Sequence, residues 1–133
     1  MILVDSSVLI DYLRDRPTAA ARCLDRLQQE RAYWGVPLVC AQEVLQGARN
    51  EDEWRSLKAF FDAQDLVEPA VARAAHVEAA RIFYDCRRRG FTVRSSVDCL
   101  IAALAIERRD ILLHDDDDFE AIAKVRPLRT LRS

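Results

Sequence analysis

Glycine and lysine are scarce in this chain. Three glycines in 133 residues are too few for a Gly-rich loop that cradles phosphates. The only lysines are Lys58 and Lys124, so the lysine that a receiver domain carries after a late strand is missing. The two histidines, His76 and His114, build no convincing Ser-His-Asp arrangement. A phosphatase of the haloacid-dehalogenase type needs D-x-D after the first strand, and position 7 is Ser. No apolar run approaches the ~18 residues of a membrane span. Only Ile2-Leu3-Val4 precede Asp5, too short a run for a signal peptide. The cysteines Cys23, Cys40, Cys86 and Cys99 form no C-x-x-C pair. Each has apolar neighbours, as reduced thiols buried in a cytoplasmic protein do. Net charge is equally uninformative: 20 Lys+Arg against 22 Asp+Glu give −2. That excludes a histone-like polycation and gives no support to binding nucleic acid by bulk charge, while leaving room for a local basic path.

What is present is a globular composition, 50% hydrophobic and 32% charged, with the length of one domain, residues 1–133. The charged residues are lopsided, with Arg far ahead of Lys and Asp ahead of Glu. Arg suits bidentate phosphate contacts and Asp suits short oxygen ligation of hard cations. Ile2-Leu3-Val4 and Ile111-Leu112-Leu113 read as fully buried strands. Asp65-Leu66-Val67-Glu68 reads as a further short strand ahead of Pro69, and Leu128 to Leu131 as an edge strand. Helical spacing follows Asp5 up to Pro17, runs from the cap Thr18 toward Tyr33, and recurs from Leu38 to near Gly47. Gly35-Val36-Pro37 reads as punctuation. Asn50 caps a helix with Glu51, Asp52 and Glu53 in its first turn. A long helix from Val71 closes on Arg87-Arg88-Arg89-Gly90, another opens at Ser95 or Ser96, and a short one covers 119–123. Strands alternating with helices predict a three-layer α/β/α domain around a short, mostly parallel sheet.

In such a sheet, sites form beyond the carboxyl ends of the strands. Asp5 ends the first buried triplet and Asp115-Asp116-Asp117-Asp118 follow the other. Asp5 is a helix cap or a ligand on equal terms. Glu43 lies beside an apolar helix face, where a carboxylate needs ligation or a buried salt bridge. Asp98 fits a capping box with Ser95, yet shares a face with Ile101 and Ala102. Four adjacent aspartates repel one another unless water or a cation neutralises them. They do not form an EF-hand, because Phe119 takes the fifth-ligand position. An all-oxygen set favours Mg²⁺ or Mn²⁺ over Zn²⁺.

The order Val4-Asp5-Ser6-Ser7, Glu43, Val97-Asp98-Cys99, then His114-Asp115-Asp116-Asp117-Asp118-Phe119 resembles the PIN-domain ribonucleases over the whole chain. At this length the chain is similar to VapC-type toxins of VapBC toxin–antitoxin pairs. The resemblance implies a catalytic quartet of Asp5, Glu43, Asp98 and Asp116 in an Mg²⁺- or Mn²⁺-dependent endoribonuclease. Asp5, Asp98, Asp116 and Asp118 match the metal-binding positions, with Asp116 and Asp118 in a D-x-D-F element framed by Phe119. A one-residue shift of the turn substitutes Asp115 or Asp117. Ser6 matches a hydroxyl that supports the site, and His114 stands where the family often has Ser or Thr. The resemblance also implies a VapB-type antitoxin whose C-terminal segment crosses the acidic groove, and a homodimer. Arg87, Arg88, Arg89 and Arg94 precede the Asp98 helix and are candidates for RNA phosphates. The triplet is equally explained as helix C-terminal chemistry. Two other readings stay open: a PIN-like module that binds RNA or protein without cutting, and a solitary PIN nuclease in RNA maturation.

Overall fold

A computed structural model describes residues 1–132 of the chain. Its strands are β1 (Ile2–Val4), β2 (Trp34–Pro37), β3 (Leu66–Val67), β4 (Ile111–Leu113) and β5 (Thr130–Leu131). They form one sheet in the order β3-β2-β1-β4-β5, and every neighbouring pair is parallel. The central strands carry no polar face: Leu3, Val4, Leu112 and Leu113 are wholly buried. A parallel sheet covered by helices on both faces demands that composition. Burying one such leucine is worth about 1.5–3 kcal/mol.

The helices are α1 (Ser6–Leu13), α2 (Ala19–Gln29), α3 (Leu38–Leu45), α4 (Glu51–Asp62), α5 (Ala72–Arg88), α6 (Ser96–Arg108) and α7 (Asp117–Ala123). They pack as two groups, α1 to α4 and α5 to α7, the outer layers of the expected α/β/α fold. Helix α6 is apolar on nearly every side, with Cys99, Ile101, Ala102, Leu104 and Ala105 all buried. That is the signature of an interior helix. Its small residues bring α5, α7 and β4 close. Thr18 caps α2 and Asn50 caps α4 through their side chains, as expected. All four cysteines are free and buried. Among the described residues no helix is long and apolar enough to cross a membrane.

Two sequence readings change. Gly35-Val36-Pro37 is not punctuation but most of β2, hydrogen-bonded between β1 and β3. A Cβ on Gly35 would stand 3.0 Å from the Asp65 carbonyl oxygen and 3.0 Å from Met1 Sδ, so glycine is what lets these chains approach. Helix α2 ends at Gln29 rather than near Tyr33, because Arg31 turns the backbone left-handed with φ 53°.

Candidate metal centre

The register of the sheet builds the site. Val4 of β1 pairs with Leu113 of β4, so the residues after them leave the sheet side by side. The Asp5 N–H donates to the Leu113 carbonyl at 3.0 Å, which fixes that exit. Asp5 is then at once a helix cap and a member of the site. One carboxylate oxygen accepts from the Ser7 N–H at 3.1 Å and the Ser7 hydroxyl at 2.6 Å. The other accepts from the Cys40 thiol at 3.7 Å. The residue is 2% exposed, and that burial pushes its pKa up.

Across the gap, the aspartate run sorts itself by alternate direction. Asp115 donates its N–H to the Ser7 hydroxyl oxygen at 3.1 Å. Its carboxylate and that of Asp117 reach outward to Arg132, at 3.3 and 2.8 Å. Asp116 caps α7, accepting from the Asp118 N–H at 2.9 Å. Asp118 turns inward, 5% exposed. It accepts from the Arg94 and Ser95 N–H groups at 2.9 and 3.1 Å. The inward pair is thus Asp116 and Asp118, the frame set by the wholly buried Phe119.

Asp98 completes the group. The Ser95 side chain makes no cap hydrogen bond, so the capping box is absent and the Asp98 carboxylate faces the interior. It is 6% exposed, and its Oδ2 has no hydrogen-bond partner. Asp98, Asp116 and Asp118 each place one carboxylate oxygen within 4.8 Å of the others. Burial first, then the charge of Asp5, hydrogen bonding to Asp118 and the charges of Asp116 and Asp118 push the Asp98 pKa up to about 9.

Glu43 stands at the edge of this group rather than inside it. It is half-buried, accepts from the Ser6 hydroxyl at 3.2 Å, and has no ion pair among the described residues. A buried salt bridge is therefore not what holds it. Burial and the Asp5 charge raise its pKa. His114 is wholly buried, its ring tilted on Phe119 at 5.0 Å. Its Nδ1 accepts from the Asp116 N–H at 3.2 Å, which assigns the ring proton to Nε2. His114 thereby shapes the loop that carries Asp116, and burial lowers its pKa. The candidate RNA-contacting residues Arg87, Arg88, Arg89 and Arg94 are all exposed. Only the Arg94 backbone touches the acidic group.

Sequence reasoning missed Ser7, which ties Asp5 to the aspartate loop, and Arg132, which ties down the outward acids. Ser7 was legible as the second hydroxyl of Asp5-Ser6-Ser7. Arg132 was not, because only the β4–β5 pairing brings it to the loop.

The residues fit a divalent cation. The inward donors are all hard carboxylate oxygens, and one of them, Asp98 Oδ2, is buried without a partner. Such a group is costly unless something neutralises it.

The PIN domain family model matches residues 2–125. The VapC ribonuclease Mb1587 of Mycobacterium bovis is 36% identical over 132 residues, covering 97% of this chain and 96% of that protein. Ribonuclease VapC51 of Mycobacterium tuberculosis is 39% identical over 123 residues, covering 92% and 85%. Among solved structures, VapBC2 from Rickettsia felis, bound to a DNA fragment from its promoter, superposes with a TM-score of 0.77 at 14% identity. That match covers 100% of this chain and 99% of the other. FitAcB from Neisseria gonorrhoeae gives 0.71 at 22% identity, covering 98% and 96%. Register, acidic group and end-to-end likeness agree, and the chain belongs to the PIN-domain family alongside the VapC ribonucleases.

Proposed function

We propose that this chain, as a single domain over residues 1–133, is the toxin of a cytoplasmic toxin–antitoxin pair and an endoribonuclease that hydrolyses RNA phosphodiester bonds with Mg²⁺ or Mn²⁺. The observation that carries the reading is the convergence of Asp98, Asp116 and Asp118, with Asp98 Oδ2 orphaned. When bound, a divalent cation supplies water activation and offsets the negative charge that develops on the phosphate oxygens. Asp98, Asp116 and Asp118 are the residues to hold it, with Asp5 adjacent. Asp5 is held by Ser7 and Cys40, Glu43 by Ser6, and the Asp116 carboxylate by the Asp118 N–H, on a loop that His114 fixes through the Asp116 N–H. The carboxylates are thus oriented before substrate arrives, which is where outer contacts act on a metal site. Glu43 orients water or substrate at the rim.

The relatives' names support the rest of the reading, because several solved ones are VapBC complexes. A groove of about 620 Å³, lined by Leu13, Glu43, Val44 and Leu57 among others, suits the C-terminal segment of a VapB-type antitoxin. A homodimer is part of the same reading. Purified protein should cleave RNA in Mg²⁺ or Mn²⁺ and stop in EDTA. Asp98→Asn should lose at least about 100-fold in rate, within the range that mispositioning a catalytic group costs. Undiminished cleavage in EDTA, or by the variant, would refute the metal assignment.

A further inference from the structure

Next to the acidic centre, between the end of α5 and the loop that enters α6, lies a groove of about 320 Å³. The Phe83 and Phe91 rings, Arg87 and Gly90 line it, together with Thr92 and Val93. Its volume is at the lower end of the ~300–1,000 Å³ of small-ligand sites. It suits one flat ring rather than a helix or a folded segment. Gly90 makes the turn that shapes the rim: its φ is +81°, a left-handed conformation that favours glycine.

Cations surround these rings without carboxylate partners. The Arg87 guanidinium lies 5.9 Å from the Phe83 centroid, while Arg89 and Lys124 lie 5.6 and 5.2 Å from that of Phe91. Among the described residues none of these three, nor Arg88 or Arg94, forms an ion pair with an acid. Arg81 and Arg126 beside them are both paired to Asp85. The chain that forms one wall of the groove runs on into the acidic centre. Val93 leads directly into Arg94 and Ser95, whose N–H groups hold Asp118.

Unneutralised arginines beside aromatic rings are what a single-stranded nucleic acid needs. The backbone takes the cations, and a base stacks on a ring because every base has a π-face. A base inside a duplex has both faces covered and does not qualify. We propose that this groove is a stacking subsite for one unpaired RNA base next to the phosphate at the acidic centre. Arg87 and Arg94 hold the backbone between them. The proposal rests on the ribonuclease reading above and goes further, because it assigns a base-binding site outside the acidic centre.

Fluorescence anisotropy in EDTA, with a short labelled single-stranded RNA, tests it without turnover. Phe91→Leu keeps apolar bulk and should weaken binding about 5- to 100-fold, the range of one base–aromatic stack. Arg87→Ala, at an exposed position, should lower the slope of log affinity against log salt by about 0.7, one phosphate on a single strand. A third arm leaves the protein unchanged and removes one base at a time from the RNA. One abasic position should weaken binding to the unmodified chain and have no further effect on Phe91→Leu. Equal affinity of Phe91→Leu and the unmodified chain overturns the groove, and is what a groove for a protein segment would give. So does an abasic loss that persists in full in the variant. Cleavage in Mg²⁺ together with either result leaves the ribonuclease reading standing. An unmodified chain that neither cleaves nor binds RNA overturns both.

Discussion

Asp98 shows what happens to a carboxylate that has lost its water and gained only like charges for neighbours. In the unfolded chain such a group ionises at about pH 3.9; in the fold its pKa rises to about 9. Between those values the unfolded chain releases a proton that the folded one keeps. In metal-free protein this residue therefore makes stability fall as pH rises from about 4 to about 9, and flattens outside that window. Asp5 and Glu43 shift the same way, both by burial first. His114 has the opposite sign. Its pKa is lowered, so its cost appears as pH falls below about 6.5, where the unfolded ring takes up a proton. Asp98→Asn should raise the metal-free melting midpoint by about 3–8 °C at pH 8, the equivalent of about 1–2 kcal/mol. The gain should vanish near pH 4. An equal gain at both pH values, measured by calorimetry, would remove the charge as its cause. This residue also marks a limit of the sequence. Ser95-x-x-Asp98 and the apolar face of α6 were both legible, and periodicity had no means to choose between them. The choice comes from Asp118, which occupies the N–H groups of Arg94 and Ser95 ahead of the helix.

At the scale of elements, strands were legible where they were continuous apolar triplets and illegible where their chemistry looked like a turn. β1 and β4 are all Ile, Leu and Val, and their carboxyl ends correctly located the acids. β2 contains Gly35 and Pro37, both of which normally break a ladder. Gly35 is there because Met1 and the Asp65 carbonyl leave no room for a side chain. That same carbonyl accepts the Val36 N–H at 2.9 Å, so it cannot retreat without weakening β2–β3 pairing. Gly35→Ala should destabilise the protein by about 1–3 kcal/mol through overpacking. Denaturant titration would show this as a lower midpoint at unchanged slope. An unchanged midpoint would mean that the Met1 side chain alone yields.

For the whole molecule, the near-neutral total hides an uneven distribution. Acids gather at the carboxyl ends of β1 and β4, and unpaired arginines gather at the end of α5. Arg132 sits on the border, taking Asp115 and Asp117 out of the acidic field and lying 3.9 Å from Glu120. Exposed pairs of this kind are individually weak, because water and salt screen them. Their joint effect should nevertheless be felt most when no cation balances the inward acids. Arg132→Ala should lower the melting midpoint by about 2–6 °C in EDTA and by clearly less in saturating Mn²⁺. An identical loss in both would reduce Arg132 to a plain surface contact.

The four buried thiols carry a last consequence. A thiol enclosed in apolar packing reacts with an alkylating reagent only when its surroundings open. Cys23 on α2, Cys40 on α3, Cys86 on α5 and Cys99 on α6 therefore act as four clocks, one in each of four helices. Peptide mapping after brief alkylation would time their openings separately. Cys40, whose thiol reaches Asp5, keeps time for the acidic centre itself.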